Sequence, residues 1–307
     1  MRASDIFFWA ACFFLAGVLI ASIFSGSTEP LIFSFGAVWL AALALLLSSR
    51  QKLAVFSLVM IFGVAYFFVF DKLRKPAPIP YGEKVIFTGI VTEAEQRLDG
   101  QKIVIQNIQI AAPRYPKFEY GDELEVSGVI KTIEGDWENY FKKESIAGLM
   151  GFPEINVLSK GNGSPIKTRL LGIKEFFISS FKKVLPFDKA AFMSGLVLGE
   201  TAEFSDEFKE KLRATGTSHL VALSGYNIGI IASAVAGLLG LWWVTKRFTF
   251  IGSTLFIFAF VLMTGAEASV VRAAIMGFLM LLADKLQRVY YFRNAVAATA
   301  LAMVLVN

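Results

Sequence analysis

The sequence predicts an α-helical polytopic membrane protein that carries a small inserted β-domain. The 307-residue chain is 55% hydrophobic, and its mean hydropathy of +0.59 is high for a soluble protein. Several apolar runs are also long enough to cross a bilayer. Residues 82–160 instead show short alternating segments, which are typical of strands. We expect three transmembrane helices in residues 1–70, a linker and β-domain in residues 71–165, and a helical membrane domain in residues 166–307.

The composition excludes two kinds of site. Cys12 is the only cysteine, so an internal disulfide is impossible. His219 is the only histidine, which excludes a multi-histidine zinc cluster. As a catalytic base, His219 has no organised nucleophile or fixed acid beside it in the sequence. We therefore predict no metal, no cofactor and no enzymatic activity.

Charge in the loops predicts the membrane topology. Residues 6–24, 31–47 and 53–70 are apolar enough to span, and the turn between the second and third runs carries Arg50 and Lys52. Basic loops stay in the cytoplasm, so the N-terminus is expected inside and the β-domain outside.

The β-domain is predicted as a small barrel or sandwich. Its strands are expected in residues 85–92, 102–110, 123–130 and 146–157, with a turn at 97–101 that places Gln101 on the surface. Residues 139–143 read as a short helical or loop insert. Residues 81–160 contain 13 acidic and 9 basic residues, so the domain as a whole does not attract phosphates.

Residues 166–185 predict an amphipathic helix. Its apolar face comprises Ile173, Phe176, Phe177, Phe181, Val184 and Leu185. Such a helix either lies in the membrane interface or packs on other helices. Residues 187–198 are apolar but too short for an ordinary span, which makes a re-entrant segment possible. Ser205, Asp206 and Glu207 then predict the start of a polar helix.

Further spans are expected at residues 218–244, 248–264 and 268–282, and another begins at 295. Basic loops follow the fourth and sixth spans, which places His219 and Glu267 on the outer side. The last run ends at Asn307, short of the roughly 20 residues that a crossing helix needs, so the chain is expected to be truncated.

Two sequence blocks resemble the competence domain of the ComEC family of DNA-uptake channel proteins. The matching residues are Leu198-Gly199-Glu200, Thr215-Gly216, Ser218-His219-Leu220, Ala222, Ser224-Gly225, Leu262-Met263-Thr264-Gly265 and 269–276 with Arg272. The family often continues with Ser-Gly-Leu-His, whereas this chain has Tyr226-Asn227, so any role of a second histidine would fall to Asn227.

The resemblance implies a plasma-membrane channel component for single-stranded DNA uptake during natural transformation, with an OB-fold-like β-domain. It also implies outer DNA-receptor proteins and a cytoplasmic DNA-translocating ATPase as partners, besides the DNA and the lipid bilayer. The residue pattern alone equally allows a transporter of another polar solute.

Two sets of candidate site residues follow. Polar groups inside apolar spans mark a pathway, and the substrate-path candidates are His219, Ser224, Gly225, Asn227, Glu267 and Arg272. Aromatic and basic residues bind single strands by stacking and charge, and the DNA-binding candidates are Trp137, Tyr140, Phe141, Lys142 and Lys143. Each set has a structural alternative: interhelical hydrogen bonds for the first, core or interface anchors for the second.

Overall fold

The computed structural model describes residues 2–23, 51–73, 80–97, 99–133, 135, 138–201, 204–218, 234–235, 237–238 and 246–306. The chain divides into two compact units, residues 1–75 with 275–307 and residues 76–274. The predicted second span and nearly all of the fourth lie outside the described residues.

The described residues form helices and strands that are numbered here in chain order. They are α1 (Ala3–Ile23), α2 (Gln51–Leu73), β1 (Lys84–Ile90), β2 (Glu93–Gln96), β3 (Gln101–Ile105), β4 (Ile108–Ala112), β5 (Glu123–Val129), α3 (Glu138–Lys143), β6 (Gly148–Gly151), β7 (Glu154–Ser159), α4 (Pro165–Val184), α5 (Phe187–Leu198), α6 (Asp206–Ala214), α7 (Lys246–Met263), α8 (Ala268–Lys285) and α9 (Phe292–Val306).

The first unit is built on the closely packed pair α1 and α2. A Cβ on Gly17 would lie 2.1 Å from the carbonyl oxygen of Met60, and one on Gly63 would lie 2.3 Å from that of Phe14. Glycine at both positions lets the two backbones touch, as small residues do between membrane helices. Residues Ala3–Ile23 and Ala54–Leu73 are long and apolar enough to cross a membrane, while Arg247–Met263 and Phe292–Val306 are shorter.

Polar contacts attach α9 to this pair. The guanidinium of Arg293 pairs with the carboxylate of Asp5 and lies 5.1 Å from the ring centroid of Phe8. At the other end of α9, the hydroxyl of Tyr66 donates to the carbonyl oxygen of Leu305 over 2.9 Å. The helix predicted to begin at residue 295 therefore exists and packs within the first unit.

The β-domain consists of two sheets with the orders β1-β5-β7 and β2-β3-β4-β6. A closed barrel was one of the expected architectures, and that expectation is wrong. The strands do not join into one closed ladder, because β5 and β6 belong to different sheets. Backbone pairing between the two sheets occurs just beyond β5, at an isolated bridge between Lys131 and Leu149. The sheets instead enclose one apolar core, whose buried members are Val91, Ile103, Ile105, Ile108, Ile110, Ala112, Phe118, Leu124, Val126, Ile130 and Met150.

Two local predictions for this domain are also wrong. Residues 102–110 do not form one strand, because Gln106 and Asn107 adopt positive φ angles of 48° and 67° and turn the chain into the β3–β4 hairpin. Gln101 is not on the surface: its side chain is buried, donates to the carbonyl oxygens of Pro113 and Pro116, and accepts from the N–H of Phe118. A buried amide needs such partners, and here they anchor the loop that follows β4.

The amphipathic helix α4 uses two faces. Ile178 is buried in the core of the helical region, and Leu170 and Phe181 pack against that core. Ile173, Phe176 and Val184 of the predicted apolar face remain exposed. Packing therefore accounts for one stripe of the helix, and the other stripe stays available to a membrane interface.

Helix α6 begins where the sequence predicts. The hydroxyl of Ser205 accepts from the N–H of Phe208 over 3.2 Å, with Asp206 and Glu207 in the first turn. Gly216 follows the helix with a φ of 67°. Phe208 and Phe192 pack against buried Phe204, which holds α6 to α5.

Candidate nucleic-acid path

The two sequence blocks meet in one hydrophobic core. Leu198 from the first block lies with Met263 and Val270 from the second, together with Ile178 and Phe260. All five side chains are buried. These positions of the two blocks therefore hold α4, α5, α7 and α8 together and do not themselves offer chemistry.

The residues after Leu198 join α5 to α4. Gly199 adopts a φ of 74° and ends α5 with its N–H donating to the carbonyl oxygen of Gly195, which is the left-handed geometry that favours glycine. The turn presents Glu200 to Lys174, and their charged atoms lie 2.8 Å apart, with 22% and 17% of the two side chains exposed. No local sequence pattern predicts this pair, because Lys174 and Glu200 lie 26 residues apart in the chain.

A tight turn between α7 and α8 positions the candidate Glu267. The hydroxyl of Thr264 donates to the carbonyl oxygen of Phe260 over 2.9 Å. Gly265 and Ala266 then adopt positive φ angles of 82° and 55°. Glu267 follows directly, and its carbonyl oxygen accepts the N–H of Val271 in the first turn of α8.

Glu267 lies in an acidic neighbourhood. Although the surface of Glu267 is exposed, partial desolvation by surrounding atoms is the main cause that raises the pKa of its carboxyl. The charges of Glu144, Glu200 and Glu95 raise this pKa further, while Lys174 lowers it. The surroundings of Glu267 therefore favour a proton or a cation more than a phosphate.

Arg272 lies on the opposite side of α8 from the packed core. Val270 and Ala274 are buried, whereas Arg272 is exposed. An α-helix turns by about 100° per residue, so two residues in either direction carry the side chain to the far face. Arg272 has no ion-pair partner within the described part of the chain.

The DNA-binding candidates on α3 are only partly described. Tyr140 is exposed and Phe141 half-buried, with ring centroids 5.4 Å apart in an edge-to-face contact. Partial desolvation and the charges of Glu144 and Glu95 raise the pKa of Tyr140, and the charge of Glu267 does so to a smaller extent. The structure thus brings Tyr140 near Glu267, and both face glutamates. Lys142 and Lys143 lie within α3, but their side chains and all of Trp137 fall outside the described residues.

Four of the substrate-path candidates lie outside the residues that the structure describes. His219, Ser224, Gly225 and Asn227 belong to the predicted fourth span. Their proximity to Arg272 stays a prediction.

The class of protein follows from these elements: apolar helices with membrane-type composition are combined with a two-sheet β-domain. Comparison with known proteins then shows what the chain is similar to. A family model described as competence protein matches residues 196–307. ComE operon protein 3 of Bacillus subtilis (strain 168) is 27% identical over 165 residues, covering 52% of this chain and 21% of the relative. The resemblance to the ComEC family is confirmed, and the chain spans about a fifth of that relative's length.

Proposed function

We propose that this chain is a membrane channel component that conducts single-stranded DNA into the cytoplasm during natural transformation. A role in competence DNA uptake is supported by the family match over residues 196–307 and by the similarity to ComE operon protein 3. The channel itself is our inference, because the alignment covers only 21% of that relative.

The observation that carries the proposal is the placement of Arg272. It lies within the matched region, on the face of α8 that points away from the packed core. A charged group facing lipid is costly, so an arginine in an apolar helix normally faces a wet cavity or another protein group. The planar guanidinium suits phosphate oxygens in particular. We infer that this face of α8 lines the path, shared with the polar residues around His219.

The remaining parts of the proposal concern the setting. We propose a multi-pass plasma-membrane protein with a cytoplasmic N-terminus and an extracytoplasmic, OB-fold-like β-domain. Its partners would be the single strand, the bilayer, outer DNA-receptor proteins and a cytoplasmic DNA-translocating ATPase. The two apolar helices Ala3–Ile23 and Ala54–Leu73 support the membrane location. No catalytic step, metal or cofactor is assigned to this chain.

Substitution of Arg272 tests the path. Arg272→Ala should abolish the uptake of labelled DNA into a nuclease-protected state, while membrane abundance stays unchanged. Arg272→Lys keeps the positive charge but loses the planar guanidinium that can donate two parallel hydrogen bonds to a phosphate, so it should retain partial uptake. Arg213→Ala, which removes an exposed arginine in the last turn of α6, is the matched control. Normal uptake by Arg272→Ala would refute phosphate guidance.

The alternative, a transporter of another polar solute, is favoured by one observation. Glu95, Glu144, Glu200 and Glu267 create a local excess of negative charge near one end of α8. Such surroundings suit a cationic solute better than DNA. Loss of a cation flux with DNA uptake unaffected in the Glu267→Gln variant would support this alternative.

A further inference from the structure

An open groove lies at one end of the β-domain. Its volume is about 310 Å³, and its lining includes Lys84, Val129, Lys131, Gly151, Phe152 and Glu154. This volume is at the lower end of the range typical of ligand sites. The groove is distinct from α3, where the sequence places its DNA-binding candidates.

The position of the groove follows from the strand register. Lys84 begins β1 and pairs with Val129, which ends β5, and Glu154 begins β7. The opposite strand ends reach α4: the ammonium of Lys167 in α4 donates to the carbonyl oxygen of Thr92. Since β1 has seven residues, the groove lies roughly 20 Å from the end that faces α4.

The groove presents an aromatic ring to solvent. Phe152 is 69% exposed, although its backbone has a positive φ of 47° that few bulky residues adopt. The N–H of Phe152 donates to the carbonyl oxygen of Ala111 over 2.8 Å, which fixes the residue against β4. An exposed ring on a fixed backbone is a suitable platform for stacking a base.

Positive charge flanks this ring in a domain that is acidic overall. Lys131 is exposed, and its ammonium has no ion-pair partner within the described residues. Lys84 lies 3.7 Å from Glu154, with 62% and 80% of the two side chains exposed. An exposed pair of this kind is weak, so a phosphate can compete for Lys84. The acidic pair Glu123 and Glu125 lies on β5 toward the α4 end.

We propose that this groove is a binding site for single-stranded nucleic acid, with one base stacked on Phe152 and the adjoining phosphates on Lys131 and Lys84. The inference rests on the proposed function, which supplies the strand. The groove would bind the incoming strand at the end of the β-domain remote from α4, before the strand reaches the helices.

The test measures the affinity of the full chain in lipid nanodiscs for a fluorescent oligodeoxythymidylate. Phe152→Asn removes the ring and retains a residue that tolerates the left-handed backbone. Gly151→Glu adds a negative charge where a Cβ meets nothing within 4 Å. Since each stacked base contributes about 1–3 kcal/mol, Phe152→Asn should weaken binding about 5- to 150-fold. Gly151→Glu and Lys131→Glu should weaken it as well.

Lys160→Glu is the matched control, because Lys160 follows the end of β7 remote from the groove. It should bind as the unmodified chain does. Equal affinity of all three groove variants and the unmodified chain would overturn the groove, and so would the absence of strand binding by the unmodified chain. Neither result would change the outcome expected of the uptake experiment on Arg272, so the groove can fail while the proposed function stands. Conversely, the unmodified chain could bind the strand through the groove and yet support no DNA uptake. That result would overturn the proposed function and leave the groove as a binding site.

A second measurement separates a strand from a lipid surface. Val129→Cys, at an exposed position of the groove lining, in a Cys12→Ser background should react rapidly with a water-soluble maleimide in nanodiscs. Added strand should slow that reaction, because this variant keeps the ring of Phe152. Slow labelling without strand would mean that the bilayer covers the groove, which would overturn the proposal.

Discussion

The ammonium of Lys174 and the carboxylate of Glu200 form a 2.8 Å ion pair that is largely enclosed between α4 and the end of α5. It joins one of the family-matching residues to a lysine that the motif does not contain. The pair lies beside the neighbourhood of Glu267, whose pKa responds to both of its members. The ion pair that joins α4 to the end of α5 therefore also influences the charge of the path candidate Glu267.

Removal of one member of this pair should destabilise the chain. Lys174→Met leaves Glu200 enclosed without its cation, and we expect a loss of about 1–3 kcal/mol. The measurement is the unfolding temperature of the full chain in detergent. Lys211→Met is the control, because its 2.6 Å pair with Glu207 is exposed and should contribute nothing measurable. Equal unfolding temperatures for Lys174→Met and the unmodified chain would show that the pair is not stabilising.

Two glycines should respond oppositely to alanine. Gly199→Ala forces a side chain into the left-handed backbone that ends α5 and should cost about 1 kcal/mol. Gly172→Ala lies inside α4, where a Cβ meets nothing within 4 Å, and should stabilise by about 0.5–1 kcal/mol. Thermal unfolding compares the two variants, and a shift in the same direction for both would contradict the assigned geometry.

Glu267 should make stability depend on pH. Its folded-state pKa is raised from the ordinary value of 4.5, first by partial desolvation and then by the charge of Glu144. The folded state therefore holds the proton more tightly, and ionisation penalises folding above that raised pKa but not below the ordinary value. Glu267→Gln removes the penalty, so its unfolding temperature should exceed that of the unmodified chain at neutral pH.

The advantage of Glu267→Gln should vanish as the pH falls below about 4.5. Unfolding scans of both chains across pH 4 to 8 make the comparison. An advantage that is constant across this range would assign the effect to packing and not to ionisation.

The topology can be tested at the turn before β3. Asp99 is exposed, unlike Gln101, so Asp99→Cys in a Cys12→Ser background should react with a membrane-impermeant maleimide on intact cells. Val289→Cys, at an exposed position after α8, should react only after lysis. The reverse pattern would place the β-domain in the cytoplasm.

The sequence by itself determined the type and place of most elements. Apolar length predicted α1 and α2, alternation predicted β1 and β5, and the Ser205 cap predicted the start of α6. These signals are local, because hydrophobic period and capping depend on residues within a few positions of one another. The sequence blocks around Leu198 and Met263 likewise sufficed to predict the resemblance to the ComEC family.

Only the tertiary structure decided what depends on residues distant in the chain. The burial of Gln101 depends on acceptors at Pro113 and Pro116, and the pair of Lys174 with Glu200 depends on the path of the chain between α4 and α5. The groove at Phe152 exists because β1 and β7 begin beside the end of β5. The separate sequence patterns of these strands do not encode that arrangement. Burial and charge pairing are sums over spatial neighbours, so no local pattern in the sequence predicts them.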